Sequence, residues 1–420
     1  MRLSALPALL LMTSAALSAA NAHAAGTPRD LSTVRGFNFT PAAADAHEAF
    51  WLNYPAAEID RDFGYAQQLN LIQVRVFVRS DAWDQEPKTF TESLNKFMDT
   101  AERHHLGVML VLAPSGKQVD GLTGEAQAAS DAKLRAWVVS LAGIVRDKPA
   151  MAFWDVANEP DWPGYADHRR PKADVEHRMN LARMFADTVH ANDKKHATTV
   201  GCFRVGCMEE LANYTDVLSF HDYPPTIARA QANIKAAQEI AARHHKQVFD
   251  TEMGCTGRAD PYDMVLREYK RSGMGFYIWE LMITRFWGNV HGVFYTDGTV
   301  RDPVIAAALM GFFRNQTKDT TLEDPDREGW VTASVAAAKQ WLAEPNPSWE
   351  KGLNIAEVQA NLLEGAQLIA MRNPPAREIV LLRQGSQDIP ALKKIMERYT
   401  SLLEPYEDHP PLHPHTAPIE

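Results

Sequence analysis

The chain has little cysteine, no excess of positive charge and, past its first two dozen residues, no apolar run long enough to cross a bilayer. Each shortage removes a class of protein. Three cysteines in 420 residues, Cys202, Cys207 and Cys255, are too few and too unevenly spaced for a zinc site or a disulfide framework. An oxidising compartment would permit one bridge, Cys202 to Cys207, and leave the third thiol alone. A formal net charge of −10 argues against nucleic acid or an anionic membrane surface as the main partner, and a neutral ligand fits better. No internal repeat is visible. What is present is ordinary globular usage, 45% hydrophobic and 23% charged, which excludes a wholly disordered or fibrous chain.

At the N-terminus, Arg2 precedes an Ala- and Leu-rich segment that runs to about Ala20, and Ala22-His23-Ala24 follows with small residues at both cleavage-defining positions. Residues 1–24 therefore read as a secretory signal peptide. The mature protein is expected to be secreted or periplasmic, with no membrane segment of its own.

Beyond it, short apolar runs alternate with amphipathic stretches. Strands are expected at Val34–Asn38, Leu71–Val78, Gly107–Ala113, Met151–Ala157, Ala197–Phe203, Asp216–His221, Gln247–Glu252 and Met274–Glu280. Helices are expected at Glu58–Leu69, Thr91–His105, Ser130–Val145, Val175–Ala191, Thr226–His245, Pro261–Ser272 and near Pro303–Arg314, with only a short segment near Met208–Asn213. Strict strand–helix alternation requires a parallel sheet, and eight units spaced by about 34 residues suit a closed (β/α)8 TIM barrel. The barrel domain spans 25–317. After a polar connector, helix-like segments suggest a small helical C-terminal extension over 318–404, and the Pro- and His-rich 405–420 reads as a mobile tail. No alternating strands suggest an appended β-sandwich.

The densest chemistry lies at Phe153-Trp154-Asp155-Val156-Ala157-Asn158-Glu159-Pro160. A buried strand ends there in an amide and a carboxyl, and a proline stops the ladder, so Asn158 and Glu159 should sit at the C-terminal mouth, where such barrels keep their active sites. Other strand ends bring Arg75, His221-Asp222-Tyr223, Thr251-Glu252 and Tyr277-Ile278-Trp279-Glu280 to the same mouth. Arg75, charged within an apolar strand, needs a carboxylate: Glu252 as a functional partner, or Asp155 or Asp250 as a packing device. Two glutamates at such positions suit cleavage of a glycosidic bond by double displacement. Arg75 and the Tyr223 hydroxyl would favour ionised Glu252, the nucleophile. Glu159, with no obvious cation and a second anion nearby, would hold its proton longer and serve as acid/base. Glu280 is the rival nucleophile, although strand alternation turns it away from the face that carries Trp279. Trp279 is the expected sugar platform. Trp51, Trp83, Trp162 and Trp287 fall in loops on the catalytic side, where some line subsites and others cap the barrel; Trp137 is expected in the core.

These residues resemble glycoside hydrolase family 5, within the clan of retaining (β/α)8 glycosidases that carry glutamates on strands four and seven. The resemblance covers roughly Val34 to Gln316. It implies that Glu159 is the acid/base and Glu252 the nucleophile, that Asn158 contacts the substrate 2-hydroxyl, and that Arg75, His221, Tyr223 and Trp279 complete the site. Val74-Arg75-Val76-Phe77 and His291-Gly292-Val293-Phe294-Tyr295-Thr296-Asp297-Gly298-Thr299 are similar to a bacterial branch described as cellulase-like or xylanase-like. One feature departs: many members carry a His after strand three, and here that strand runs into Leu112-Ala113-Pro114-Ser115-Gly116. The expected activity is retaining hydrolysis of O-glycosidic, β-type bonds in a poly- or oligosaccharide, with a carbohydrate as partner and no cofactor or metal. A catalytically inactive sugar-binding barrel and a transglycosidase using the same residues are the alternatives. A metal-dependent barrel hydrolase is disfavoured, because the first strand offers Gly36-Phe37-Asn38 rather than paired histidines.

Overall fold

A computed structural model of the protein describes residues 30–44, 49–165, 168–224, 226–255, 262–284 and 291–311, with the single residues Ala343 and Glu397. The expected signal peptide, the helical extension apart from those two residues, the tail and Trp287 lie outside the described residues.

Eight parallel strands close into a barrel: β1 (Arg35–Asn38), β2 (Gln73–Arg79), β3 (Gly107–Ala113), β4 (Met151–Asn158), β5 (Ala197–Cys202), β6 (Leu218–His221), β7 (Val248–Met253) and β8 (Gly275–Ile278). Neighbours in sequence are neighbours in the barrel, and β1 closes it by pairing with both β2 and β8. All eight expected strands form, with no end shifted by more than two residues. The covering helices are α1 (Ala56–Gln68), α2 (Pro87–Arg103), α3 (Gly124–Val145), α4 (Lys172–Asn192), the short α5 (Cys207–Leu211), α6 (Ile227–Arg243), α7 (Tyr262–Ser272) and α8 (Pro303–Leu309). Helix α3 begins six residues before the expected start, because its first turns are polar and mostly exposed and give no apolar stripe to read.

Period-two alternation sorts each strand's side chains between two cores. On β2, Val74, Val76 and Val78 face outward and join Phe63, Phe97 and other helix residues in the layer between barrel and helices. The inward set is Gln73, which accepts from Tyr277 Oη at 3.0 Å, and Arg75. The barrel floor is a separate cluster of Met109, Phe153, Phe249 and Tyr277, with ring centres 5.4 Å apart for Phe153 and Phe249 and 5.9 Å for Phe249 and Tyr277. This packed floor closes the N-terminal end of the barrel, so polar groups collect above it, toward the C-terminal mouth.

Register slips on two strands shape the mouth. Along β4 the register with β5 slips between Asp155 and Asn158, which pair with Thr199 and Gly201. Three steps on one strand match two on the other, so Asp155 and Asn158 both face inward, where strict alternation would have put them on opposite faces. A second slip on β7, between Asp250 and Glu252, turns Asp250 outward to Tyr269 of α7 and Glu252 inward.

Candidate active site

At the centre of the mouth is Arg75, with no exposed surface. A buried guanidinium has five N–H donors to satisfy, and each of its three nitrogens donates here. Nε donates to Asp155 Oδ2 at 2.9 Å, and Nη2 lies 2.8 Å from the same oxygen as an ion pair. Nη1 donates to Asn38 Oδ1 at 2.7 Å and to Glu252 Oε1 at 2.6 Å. Nη2 also donates to Asn158 Oδ1 at 2.7 Å. Burial by itself would lower the guanidinium's pKa, but Asp155 and Glu252 outweigh it and hold the group above its ordinary value. Arg75 thus takes both a packing carboxylate and the functional candidate; Asp250 is not a partner, because the β7 slip turns it away.

Glu252, 5% exposed, receives a second donor from Tyr223 Oη at 2.9 Å on Oε2. Its backbone N–H donates to Asp250 Oδ1 at 2.8 Å, which pins the slipped segment. Glu159 lies opposite, its side chain 20% exposed. Its backbone takes a positive φ of 44°, in the left-handed region where a side chain is disfavoured, and its N–H is held by Gly201 O at 2.7 Å. Glu159 Oε1 is 2.8 Å from His221 Nδ1, and the same nitrogen is 3.4 Å from Glu252 Oε2. One oxygen of each glutamate and one ring nitrogen of His221 all lie within 4.8 Å of one another. Those are metal-ligand types, but a dication there would face the Arg75 guanidinium across a single carboxylate.

Glu159, expected to lack an obvious cation, has a basic neighbour: His221, expected among the substrate-binding residues, reaches it. Two contributors had no signal that singled them out. Asn38 of β1 donates from Nδ2 to Thr251 O at 3.0 Å and to Ile278 O at 3.1 Å, which fixes its carbonyl toward Arg75. Gly201 of β5 sits where a Cβ would come 2.5 Å from His221 Nε2 and 3.1 Å from both Arg75 Nη2 and Asp155 Oδ2, so only glycine fits.

The expected aromatics separate. Trp279 is 7% exposed, with the rings of Phe77 at 5.9 Å and His291 at 6.1 Å in edge contact, so it forms part of the floor of the mouth. Trp83 is half-buried and meets Phe90 edge-on at 5.8 Å. Trp51, expected in a catalytic-side loop, is fully buried among Phe50, Phe90 and Phe97, its Nε1 donating to Phe77 O at 2.8 Å; it is a core residue. Trp137 is core, as expected, against Phe185. Glu280 is 1% exposed and accepts from Thr284 Oγ1 at 3.0 Å; burial, with Glu252 adding to it, pushes its carboxyl up to about 8. After β3, Ser115 caps a one-turn helix, and Gln118 within it accepts from Ser80 Oγ and donates to Asp84. Cys202 and Cys207 form a disulfide, while Cys255 is a buried free thiol 3.6 Å from His291 Nε2.

No protein-family model and no curated protein match the chain. Solved structures do. A GH5_18 from Streptomyces cattleya in complex with GlcNAc aligns with a TM-score of 0.53 at 15% identity, over 84% of this chain and 92% of that one. A GH5-4 broad-specificity endoglucanase from Clostridium longisporum aligns with 0.53 at 13% identity, over 68% and 99%. An endo-1,4-β-mannanase from Rhizomucor miehei aligns with 0.50 at 15% identity, over 66% and 93%. What this chain shares with them is the fold.

Proposed function

We propose that the protein is a retaining glycoside hydrolase, with Glu252 as nucleophile and Glu159 as acid/base, acting on a neutral poly- or oligosaccharide. The observation that carries this reading is the closeness of the two glutamates, an oxygen of each within 4.8 Å of the other. Double displacement needs its carboxyl groups roughly 5–5.5 Å apart; an inverting enzyme needs roughly 6.5–9.5 Å to admit water between them. Glycosidase chemistry is also what the similar solved structures are named for.

In this mechanism Glu252 attacks the anomeric carbon while Glu159 gives its proton to the departing oxygen, which leaves a covalent glycosyl-enzyme. Glu159 then takes a proton from water, the new C–O bond forms, and Glu252 leaves. Arg75 and Tyr223 each donate to one Glu252 oxygen, so they stabilise it as an anion and hold its orientation. Asn158, fixed by Arg75 Nη2, presents its amide N–H groups to the sugar 2-hydroxyl. Trp279 supplies an apolar floor, and Trp83 and Trp287 are proposed lining for more distant sugars. Export fits the Cys202–Cys207 disulfide.

The test is intact mass after incubation with 2-deoxy-2-fluoro glycosides of the gluco, manno, xylo and galacto series and their β-1,4 disaccharides. One added glycosyl mass, mapped to Glu252, is expected. A label on Glu280 or another carboxylate would overturn the assignment, and no label from any reagent would overturn double displacement itself.

A further inference from the structure

After β4 the chain turns sharply, Trp162 N–H donating to Glu159 O at 3.1 Å, so the indole is carried on the same turn as the proposed acid/base. Pro163 and Gly164 follow, the latter with φ 82°, and a two-stranded ribbon pairs Gly164–Tyr165 with His168–Arg169 and brings the chain back. Arg170 then closes the loop. Its N–H donates to Pro163 O at 2.8 Å, its Nη1 donates to Trp162 O at 3.0 Å, and its guanidinium carbon lies 5.1 Å from the Trp162 ring centre. The Arg170 side chain is 16% exposed, with Nε 3.8 Å from Asp120, whose two oxygens are held by Arg178 at 2.8 and 2.7 Å. Burial lowers the Arg170 pKa and Arg178 adds to this, while Asp120, Asp174 and Glu159 act the other way, so the guanidinium feels the Glu159 carboxylate. From the other side, buried Asp161 ties the turn to β5 by accepting from Phe203 N–H at 2.8 Å and Arg204 N–H at 3.1 Å.

Trp162 is half-buried, and Arg170 fixes the plane of its ring. Resting on the reading of Glu159 as the acid, we propose that Trp162, backed by Arg170, is the platform for the sugar on the leaving-group side of the scissile bond. That sugar is the one whose oxygen Glu159 protonates, and the same place receives a sugar hydroxyl that replaces water as acceptor. A general acid must sit within hydrogen-bond reach of the glycosidic oxygen, so the leaving sugar begins one bond away from it. An aromatic ring on the acid's own turn, with its orientation locked, is suited to the C–H face of a pyranose.

The test separates this site from the chemistry. The protein is trapped with the 2-deoxy-2-fluoro glycoside that labels it, freed of reagent, and the loss of label is followed by intact mass in buffer alone and with cellobiose, mannobiose, xylobiose or chitobiose. At least one disaccharide should speed label loss saturably. The ratio of the rate with that acceptor to the rate without it should fall about tenfold in Trp162→Ala and much less in Trp162→Phe. Arg170→Ala carries the test independently. It keeps the indole but removes its support, so half-saturation by the acceptor should rise while the limiting rate holds. Absence of any label in the parent protein would remove the functional reading, and this subsite with it. A label whose loss no disaccharide speeds, or a ratio that survives both Trp162→Ala and Arg170→Ala, would remove the subsite alone.

Discussion

Replacing Glu280 by Gln should stabilise the protein in alkali and leave it unchanged in acid. Glu280 is 1% exposed, with Thr284 on one carboxyl oxygen and no partner for the other among the described residues. Burial is the largest influence on it and the Glu252 charge adds; Thr284 and Arg301 oppose them, and the carboxyl ends at about 8 against an ordinary 4.5. The folded state therefore keeps a proton that the unfolded chain releases between these values. Stability contributed by this group is fully present below the unfolded value, declines as pH rises, and is lost by the folded one. At roughly 1.4 kcal/mol per unit, the ceiling on that loss is about 4–5 kcal/mol. Relaxation and water entry at the mouth make about 2–3 kcal/mol the expected size. Gln matches the shape of the neutral acid and does not ionise, so the variant should gain that amount near pH 9 and nothing near pH 4.5. For a barrel of this size the gain is about 5 °C in Tm. Asp62 and Asp222, each raised to about 7 by burial, titrate in both proteins and cancel in the difference. Thermal unfolding by circular dichroism at the two pH values is the assay. An equal shift at both, or none in alkali, would refute the reasoning. Hydrolysis by Glu280→Gln should also stay within about tenfold of the parent, whereas Glu252→Gln should lose at least about a thousandfold.

Arg75→Lys should both destabilise and disable, because an ammonium has three donors where four hydrogen bonds are made, and it cannot hold Asp155, Asn38, Glu252 and Asn158 from a planar fork. Urea unfolding should show a loss of about 3 kcal/mol, and turnover should fall about a hundredfold; full stability with full turnover would mean the guanidinium network contributes nothing. Glu159→Ala should reduce kcat/KM on natural oligosaccharides by about a thousandfold while largely sparing 2,4-dinitrophenyl glycosides, whose leaving group needs no proton. Equal losses on both substrates would count against Glu159 as the acid.

The barrel was legible because eight apolar runs and their intervening helices obey simple periods, and those periods reflect burial on both strand faces. The candidate site was legible where chemistry was costly to hide. A charged residue within the β2 run demanded carboxylates, and two were found. What stayed hidden were the slips on β4 and β7. Alternation carried past Asp155 puts Asn158 on the wrong face, and nothing in the side chains between them marks the extra residue. Gly201 was equally silent, since its role is the absence of a Cβ beside His221. Trp51 misled for the opposite reason: a loop Trp after the first strand looks like lining, but a neighbouring Phe and two from α2 enclose it.

The two glutamates are the same chemical group a few ångströms apart, and what separates their proposed roles is ownership of donors. Asp155 and Glu252 both lean on the single cation Arg75, so that set already carries one more negative charge than positive. A third carboxylate beside it would raise the deficit further, at a place where water is scarce. Both oxygens of Glu252 accept from fixed donors, Nη1 of Arg75 and the Tyr223 hydroxyl. Glu159 Oε1 meets His221 Nδ1, a group that either gives or takes the proton. In the proposed mechanism the proton of the Glu159–His221 pair is the one given to the departing oxygen. On that reading the pair stands beside the bond to the leaving sugar, and Glu252 faces the anomeric carbon. The slips on β4 and β7 are what make this division: they turn Asn158 and Glu252 toward Arg75, while the left-handed backbone at Glu159 carries its carboxyl to His221.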